Sequence, residues 1–334
     1  MSEQRVWRPL TTATPVGDRY VEMDSPVAGS RIRLHRDALV RLLADQPVPP
    51  AFEHGLTERG LLCVSGGEEE PAEEDLALWQ ERGWGLSLAS YAWSRSVSYY
   101  DSGPGEEDRR SAAIESMLHE RSCPLPPEPD PSAVSLQATG DWDAPPLSAV
   151  LAKRRSVGAF RQDSVDRGAL AALLYYGTSK IRACRRDASA ETPSSLLISV
   201  GAAFDIYVLV YAVDGLISGV HRYHPETNTL SLTKAGNFRK SAYVALAGQP
   251  DPKNAASTIL LVADFARYQW RYRHERALRN LYLEAGRLMQ PLILVATALG
   301  LQTGITPAVR DEEIADLLGE NSGNWQALHT LTVA

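Results

Sequence analysis

Between residues 271 and 301, apolar side chains recur at spacings of three and four, through Leu281, Ala285, Leu288, Met289, Leu292, Ile293 and Ala296, with Leu278, Tyr282 and Leu299 completing the stripe. That period predicts a helix of about eight turns. Its opposite side carries Arg276, Arg279, Asn280, Glu284 and Arg287, and beyond Pro291 it is apolar nearly all round, which points to burial in a core or against a second subunit. Pro291 is expected to bend it, because the ring removes an amide donor and crowds the preceding turn. Elsewhere the apolar pattern has period two or runs continuously, which predicts strands at 20–23, 30–34, 204–211, 219–223, 230–232, 258–264 and 328–333. Asp214-Gly215 supplies the turn that makes a hairpin of 204–211 and 219–223. Shorter amphipathic helices are predicted at 35–43, 147–154 and 166–176. Hairpins mixed with long helices imply an α+β sandwich, an antiparallel-rich sheet flanked by helices, rather than a doubly wound parallel sheet.

Breaker residues divide the chain into 1–65, 66–131 and 132–334. In the first segment two strands, a helix stopped by the prolines at 47–50 and a short helical piece at 56–62 suggest a small winged-helix-like module. Its candidate recognition stretch is too weakly basic to favour DNA, and an extended peptide along a strand edge, or a partner protein, suits it at least as well. The second segment opens with the acidic, solvated run 66–75. It continues through an aromatic stretch with Trp79, Trp84, Tyr91, Trp93, Tyr99 and Tyr100, expected to serve core packing before sugar or peptide stacking. It ends in CPLPPEPDP at 123–131, an extended proline-rich linker.

Composition narrows the function classes. A formal net charge of -7 over 334 residues argues against nonspecific binding to nucleic acid or to an anionic membrane surface. Three widely separated cysteines show neither a zinc spacing nor a disulfide framework, so no metal is expected. No apolar run reaches transmembrane length and the opening MSEQRVWRPL has no apolar signal region, so a cytoplasmic enzyme or binding protein is expected.

Three short stretches carry candidate chemistry. Lys153-Arg154-Arg155-Ser156 ends a predicted helix, and adjacent guanidiniums with a hydroxyl suit a phosphate, although a solvated basic helix end has the same sequence. Thr192-Pro193-Ser194-Ser195 is a proline-fixed turn whose backbone groups suit the polar edge of a flat heterocycle. Thr303-Gly304-Ile305-Thr306-Pro307 is read as a second loop of this kind, with amides free to meet a ring nitrogen.

Taken in order, RRSVGAF at 154–160, PSS at 193–195, FDIYVLVYAVDGLISGVHRYHP at 204–225, LEAGRLMQPLILVATALGL at 283–301 and RDEEIADLLG at 310–319 resemble the nitroreductase-like flavoproteins, specifically the SagB-type or McbC-type dehydrogenases that oxidise azolines in modified peptides. WQERGWGLSLASYAWSRSVSYYD at 79–101 is similar to the region such proteins carry ahead of the flavin domain. The resemblance implies a nitroreductase-like FMN domain over 132–334 and a homodimer with the long helix at its interface. It implies that Arg154, Arg155 and Ser156 bind the FMN phosphate and ribityl chain, and that Pro193, Ser194 and Ser195 line the isoalloxazine edge. Thr303 and Gly304 would approach N5, and Gln290 would lie near the cofactor or the dimer seam.

The family's Lys-Tyr pair before the long helix is matched by Arg271-Tyr272, and aligning the family's R-x-x-R onto Arg276 and Arg279 shifts that pair by one residue. An arginine stays protonated and is a poor general base, so Tyr272 is the candidate acid or base and Arg271 its electrostatic helper. The chain departs from the family pattern at Gly158, at Leu196 and Leu197, and at its LTVA end, where relatives carry a trailing glycine and a basic residue. The implied activity is FMN-dependent oxidation of thiazoline or oxazoline rings to azoles in peptide natural-product biosynthesis, with a precursor peptide and a cyclodehydratase as partners. Two alternatives stand beside it. One is flavin-dependent dehydrogenation of another amino-acid-derived or carrier-bound intermediate. The other is a non-catalytic scaffold subunit that keeps the fold and binds a peptide or partner enzyme.

Overall fold

The computed structural model of the chain describes residues 5–8, 10–26, 28–44, 46–64, 78–95, 105–137, 144–161, 164–197, 199–320 and 323–334. The chain divides into two compact units, Met1–Tyr99 with His274–Leu278, and Tyr100–Arg273 with Arg279–Ala334. The acidic run at 66–75 and the tyrosines 99 and 100 lie outside the described residues.

The first unit contains a three-stranded antiparallel sheet of β2 (Thr12–Val16), β3 (Tyr20–Ser25) and β4 (Ser30–His35), with β3 central. A separate pair joins β1 (Arg5–Trp7) to β5 (Leu62–Val64). Alternation places Val21 and Met23 of β3 on the buried face, where they meet Leu34, Leu39, Leu42, Leu56 and Leu61. The helix Arg36–Leu43 follows β4 directly, with the His35 ring accepting from the Asp37 amide. The prolines that end it also start the next helix, Pro50–Glu58, because proline at the first helical position loses no hydrogen bond. The short helical piece expected at 56–62 is therefore the tail of that helix, released by Gly60 at a φ of 67° and followed by β5. In this unit Trp79 packs edge-on to Trp84 at 5.6 Å and parallel to Tyr91 at 6.1 Å, near the helix Gly85–Arg95. These rings bury one another rather than a core, since Trp84 and Tyr91 stay exposed.

In the second unit a seven-stranded antiparallel sheet has the order β11-β12-β10-β7-β8-β9-β6. The strands are β6 (Val134–Ser135), β7 (Phe204–Val210), β8 (Gly219–His224), β9 (Thr229–Ala235), β10 (Ser257–Asp264), β11 (Thr303–Thr306) and β12 (Trp325–Val333). All of β7 and nearly all of β10 are buried, so their apolar runs are continuous rather than alternating. With helices including Leu147–Lys153, Arg167–Gly177 and Ser179–Ser189, this is the expected α+β sandwich.

Two sequence expectations are corrected. The stretch 271–301 is not one helix: Phe265–Arg271 ends at Tyr272, which leaves helical geometry at φ -99° and ψ 87°, and Arg276–Ala298 starts afresh and continues through Pro291. The long helix buries Leu281, Ala285, Leu288, Met289, Leu292, Ile293 and Ala296, while Leu278 and Tyr282 of the expected stripe are exposed. Residues 303–306 are not a loop but a strand, because β12 supplies its hydrogen-bonding partner. Among the described residues no helix is long and apolar enough to cross a membrane.

Candidate functional site

The helix Leu147–Lys153 ends where Arg154 turns extended, at φ -55° and ψ 121°. The next residues are fastened to β11. Ser156 forms a parallel bridge with Thr303, the Val157 amide donates to the Thr303 carbonyl at 2.8 Å, and the Thr303 hydroxyl donates to the Arg155 carbonyl at 2.8 Å. Arg154 Nη1 donates to Ser156 Oγ at 3.3 Å, while Arg155 Nη1 donates to the carbonyls of Ala152 and Arg154 at 3.0 and 2.8 Å. Among the described residues neither guanidinium meets a carboxylate. Gly304 is buried, and a Cβ there would lie 2.6 Å from the Pro250 ring and 2.9 Å from the Val157 carbonyl. Glycine is thus required by the close approach of this strap to β11. Gly158, by contrast, is exposed and faces open space.

A second cluster lies around Pro193–Leu196, which is a short helix rather than the open turn expected. Pro193 starts it, and Thr192 and Ser195 cap one another: the Ser195 amide donates to Thr192 Oγ1 at 3.3 Å and the Thr192 amide to Ser195 Oγ at 3.2 Å. Ser194 is exposed. Leu196 is fully buried against Ile114, Cys184, Ala188, Ala202 and Trp270, so this leucine is a core contact. Arg271 reaches across to this helix, donating from Nη1 to the Leu196 carbonyl and from Nη2 to the Leu197 carbonyl at 2.5 Å. The same guanidinium lies 4.8 Å from the Tyr272 ring centre, and Tyr268 packs against Tyr272 at 4.7 Å. These residues, with Cys123, Ser199 and Trp270, line a cavity of about 20 Å³, room for a single water. Burial raises the Tyr272 pKa above its ordinary value of 10.0 against the opposing pull of Arg271. Burial likewise lowers the Arg271 pKa and pushes the Cys123 thiol up to about 11.

The structure therefore brings together Arg154, Arg155, Ser156, Thr303 and Gly304 in one place, and Pro193, Ser194, Ser195, Arg271 and Tyr272 in another. No hydrogen bond or ion pair joins the two groups among the described residues. Gln290 belongs to neither and is exposed on the long helix.

A third group escaped the sequence reading. Asp205, within the apolar strand β7, accepts from Arg185 at 2.9 Å, from Arg222 at 2.6 Å and from Arg267. Arg185 also grips Glu226 at 3.1 Å, and Arg267 pairs with Asp264 at 2.9 Å. Burial alone pushes the Asp205 pKa up, but Arg267, Arg222 and Arg185 outweigh it and hold the carboxyl below its usual range. Arg267 lies in the first turn of the helix Phe265–Arg271, which ends at Arg271 and leads into Tyr272, so this network anchors the second cluster to the sheet. The available signal was a lone aspartate in an otherwise apolar strand, a position that demands a paired charge.

Comparison with known proteins agrees with this architecture. The model of the Nitroreductase family matches residues 151–333, which is 183 of 334 residues. The chain is 27% identical to the trifolitoxin operon protein TfxC of Rhizobium leguminosarum bv. trifolii, over 81% of this chain and 77% of that protein. It is 31% identical to MJ1384 of Methanocaldococcus jannaschii, described as a nitroreductase, over 52% of this chain and 83% of that one. A chain in the E. coli microcin synthetase McbBCD complex with truncated pro-MccB17 bound is 14% identical, at a TM-score of 0.44, covering 81% of this chain and 98% of that one. With just over half of its length matched by the family model, and the antiparallel sheet and helices described above, this chain belongs to the nitroreductase family.

Proposed function

We propose that this protein is an FMN-dependent dehydrogenase of peptide natural-product maturation, acting on thiazoline or oxazoline rings to give azoles. One observation carries the flavin reading: Arg154 and Arg155 have no carboxylate partner among the described residues, and Arg154 and the Ser156 hydroxyl converge beside β11. Guanidinium forks suit phosphate oxygens, and here nothing acidic competes for them. The residues present therefore fit the group. Arg154, Arg155 and Ser156 would hold the phosphate and ribityl chain, Thr303 and Gly304 the N5 side of the ring, and Pro193, Ser194 and Ser195 its other edge. In this reading the protein is a homodimer, with Gln290 near the cofactor or at the dimer seam. When bound, FMN supplies hydride acceptance, and the protein supplies position and electrostatics.

The similarity to TfxC, by name a protein of the trifolitoxin operon, supports a role in making a natural product. The partners proposed are a precursor peptide and a cyclodehydratase. In this reading 1–65 is the peptide- or partner-binding module, 66–131 the connector and 132–334 the FMN domain, in the cytoplasm. An absorbance spectrum of the purified full chain tests it. A flavin band, release of FMN on denaturation and loss of two hydrogens from an azoline peptide are expected. A colourless protein that takes up no FMN on titration overturns it.

A second reading has a specific observation behind it. Ring oxidation of an azoline needs a base for the carbon-bound proton, yet Tyr272 is held protonated and Arg271 is a permanent cation. As a phenol, Tyr272 has a proton to donate in a hydrogen bond. That role suits dehydrogenation of another amino-acid-derived or carrier-bound intermediate whose oxygen needs a donor.

A further inference from the structure

Arg271 closes the helix Phe265–Arg271, and what its guanidinium meets defines what the position does. Its guanidinium is largely buried and has no carboxylate partner among the described residues. A buried cation without a counter-ion is costly, so the groups that do surround it decide its role. Those groups are two backbone carbonyls, Leu196 and Leu197, and the Tyr272 ring. The carbonyls belong to the C-terminal end of Pro193–Leu196, where carbonyls have no partner inside the helix and a cation is favoured. The Leu196 carbonyl also accepts from Ser199, from its Oγ at 2.9 Å and its amide at 3.4 Å, whereas the guanidinium alone bridges both carbonyls. A planar fork satisfies two neighbouring carbonyls at once, whereas an ammonium is a point charge on a flexible stem.

We propose that Arg271 is a positioning residue whose two-pronged grip on the Leu196 and Leu197 carbonyls fixes the 192–197 turn, and with it Ser194 and Ser195, relative to the Tyr272 phenol. This rests on the reading of 193–195 as flavin-edge residues only for its consequence in FMN binding; the grip itself is independent of the cofactor. The alternative, a cation that merely biases Tyr272, is a charge effect that lysine would reproduce. Fork and charge are therefore separable by one pair of variants.

The test compares Arg271→Lys and Arg271→Gln with the native full chain by hydrogen exchange at the 192–197 amides without added FMN, and by FMN titration followed by flavin fluorescence. In the native turn the Leu196 amide donates to the Thr192 carbonyl at 3.0 Å and the Leu197 amide to the Pro193 carbonyl at 3.2 Å, and these bonds report its opening. Loss of charge-assisted bonds at the turn should speed exchange there by about tenfold or more in both variants. FMN affinity should fall in both as well, with lysine failing to rescue. Native exchange and affinity in Arg271→Lys overturn the proposal in favour of the charge effect. Native exchange in both variants overturns it outright. Should Arg271→Gln fail to fold, Arg271→Lys decides alone. If the native chain takes up no FMN, the flavin reading falls while the exchange data still decide the grip.

Discussion

Arg154 and Arg155 differ from the arginines gathered on Asp205 in what they lack. Arg185, Arg222 and Arg267 are spent on Asp205, the first and last tying flanking helices to the sheet and Arg222 tying β8 to β7, whereas Arg154 and Arg155 bond only to a serine and to nearby carbonyls. Arg154→Ala and Arg155→Ala should therefore leave the thermal midpoint unchanged while weakening FMN about tenfold or more each, the ordinary effect of deleting a charge-assisted bond to phosphate. Flavin fluorescence titration beside a melting curve checks both halves, and the affinity should also weaken as salt is raised, since the site is open to solvent. A variant that unfolds instead would show these residues to be structural. The sequence exposed this pair because the two arginines and the serine are neighbours in one short run. It hid the Asp205 group because the three arginines lie 17, 20 and 62 residues from their carboxylate. Nothing local marks them as partners.

Elements were legible where burial imposes a period and obscure where pairing or packing decides. The strands β7 and β10 stand out because both faces are covered. β11 spans only four residues, too few for a period, and is a strand solely because β12 lies beside it. The break at 272–275 carries no glycine or proline. It follows from tertiary contacts instead: Trp270 Nε1 donates to the Arg121 carbonyl at 2.9 Å, and Arg273 turns back to the Trp270 carbonyl at 3.1 Å. The long helix is held equally tightly on its other side. Gly177 closes the helix Arg167–Gly177 against it, and a Cβ there would lie 2.5 Å from Leu292 Cδ2 and 3.0 Å from its Cα. The backbone contact cannot be relieved by a rotamer change. Gly177→Ala should accordingly destabilise the protein by about 1–3 kcal/mol, as overpacking does, despite alanine's better helix propensity. A lower urea midpoint at unchanged slope is the expected reading, and a midpoint equal to or above the native one would mean that the two helices move apart freely.

Across the whole molecule, three histidines and four tyrosines in and around the sheet are held in their neutral forms, and this sets where the fold survives. His221 hydrogen-bonds the Ile217 carbonyl at 2.8 Å, His224 the Ser231 hydroxyl at 2.9 Å, and His329 the Thr330 carbonyl at 3.3 Å. Burial lowers the pKa of all three below the ordinary 6.5. The unfolded chain therefore takes up protons first as pH falls. Stability from these residues is complete above about pH 6.5 and is lost on the acid side, at up to about 1.4 kcal/mol per pH unit for each histidine. On the alkaline side burial pushes Tyr207 up to about 12 and raises Tyr211, Tyr223 and Tyr268 above their ordinary 10.0. There the unfolded chain loses protons first, so stability falls as pH rises beyond about 10. Denaturation midpoints followed by near-ultraviolet circular dichroism should be flat from about pH 7 to 9 and fall on both sides. Replacing His224 with Gln keeps a polar group opposite Ser231 and removes one titration, so its acid limb should be shallower than the native one. An acid limb of native steepness in that variant would take the loss away from His224 and leave it to His221 and His329, since Asp205, with its depressed pKa, acts only at still lower pH.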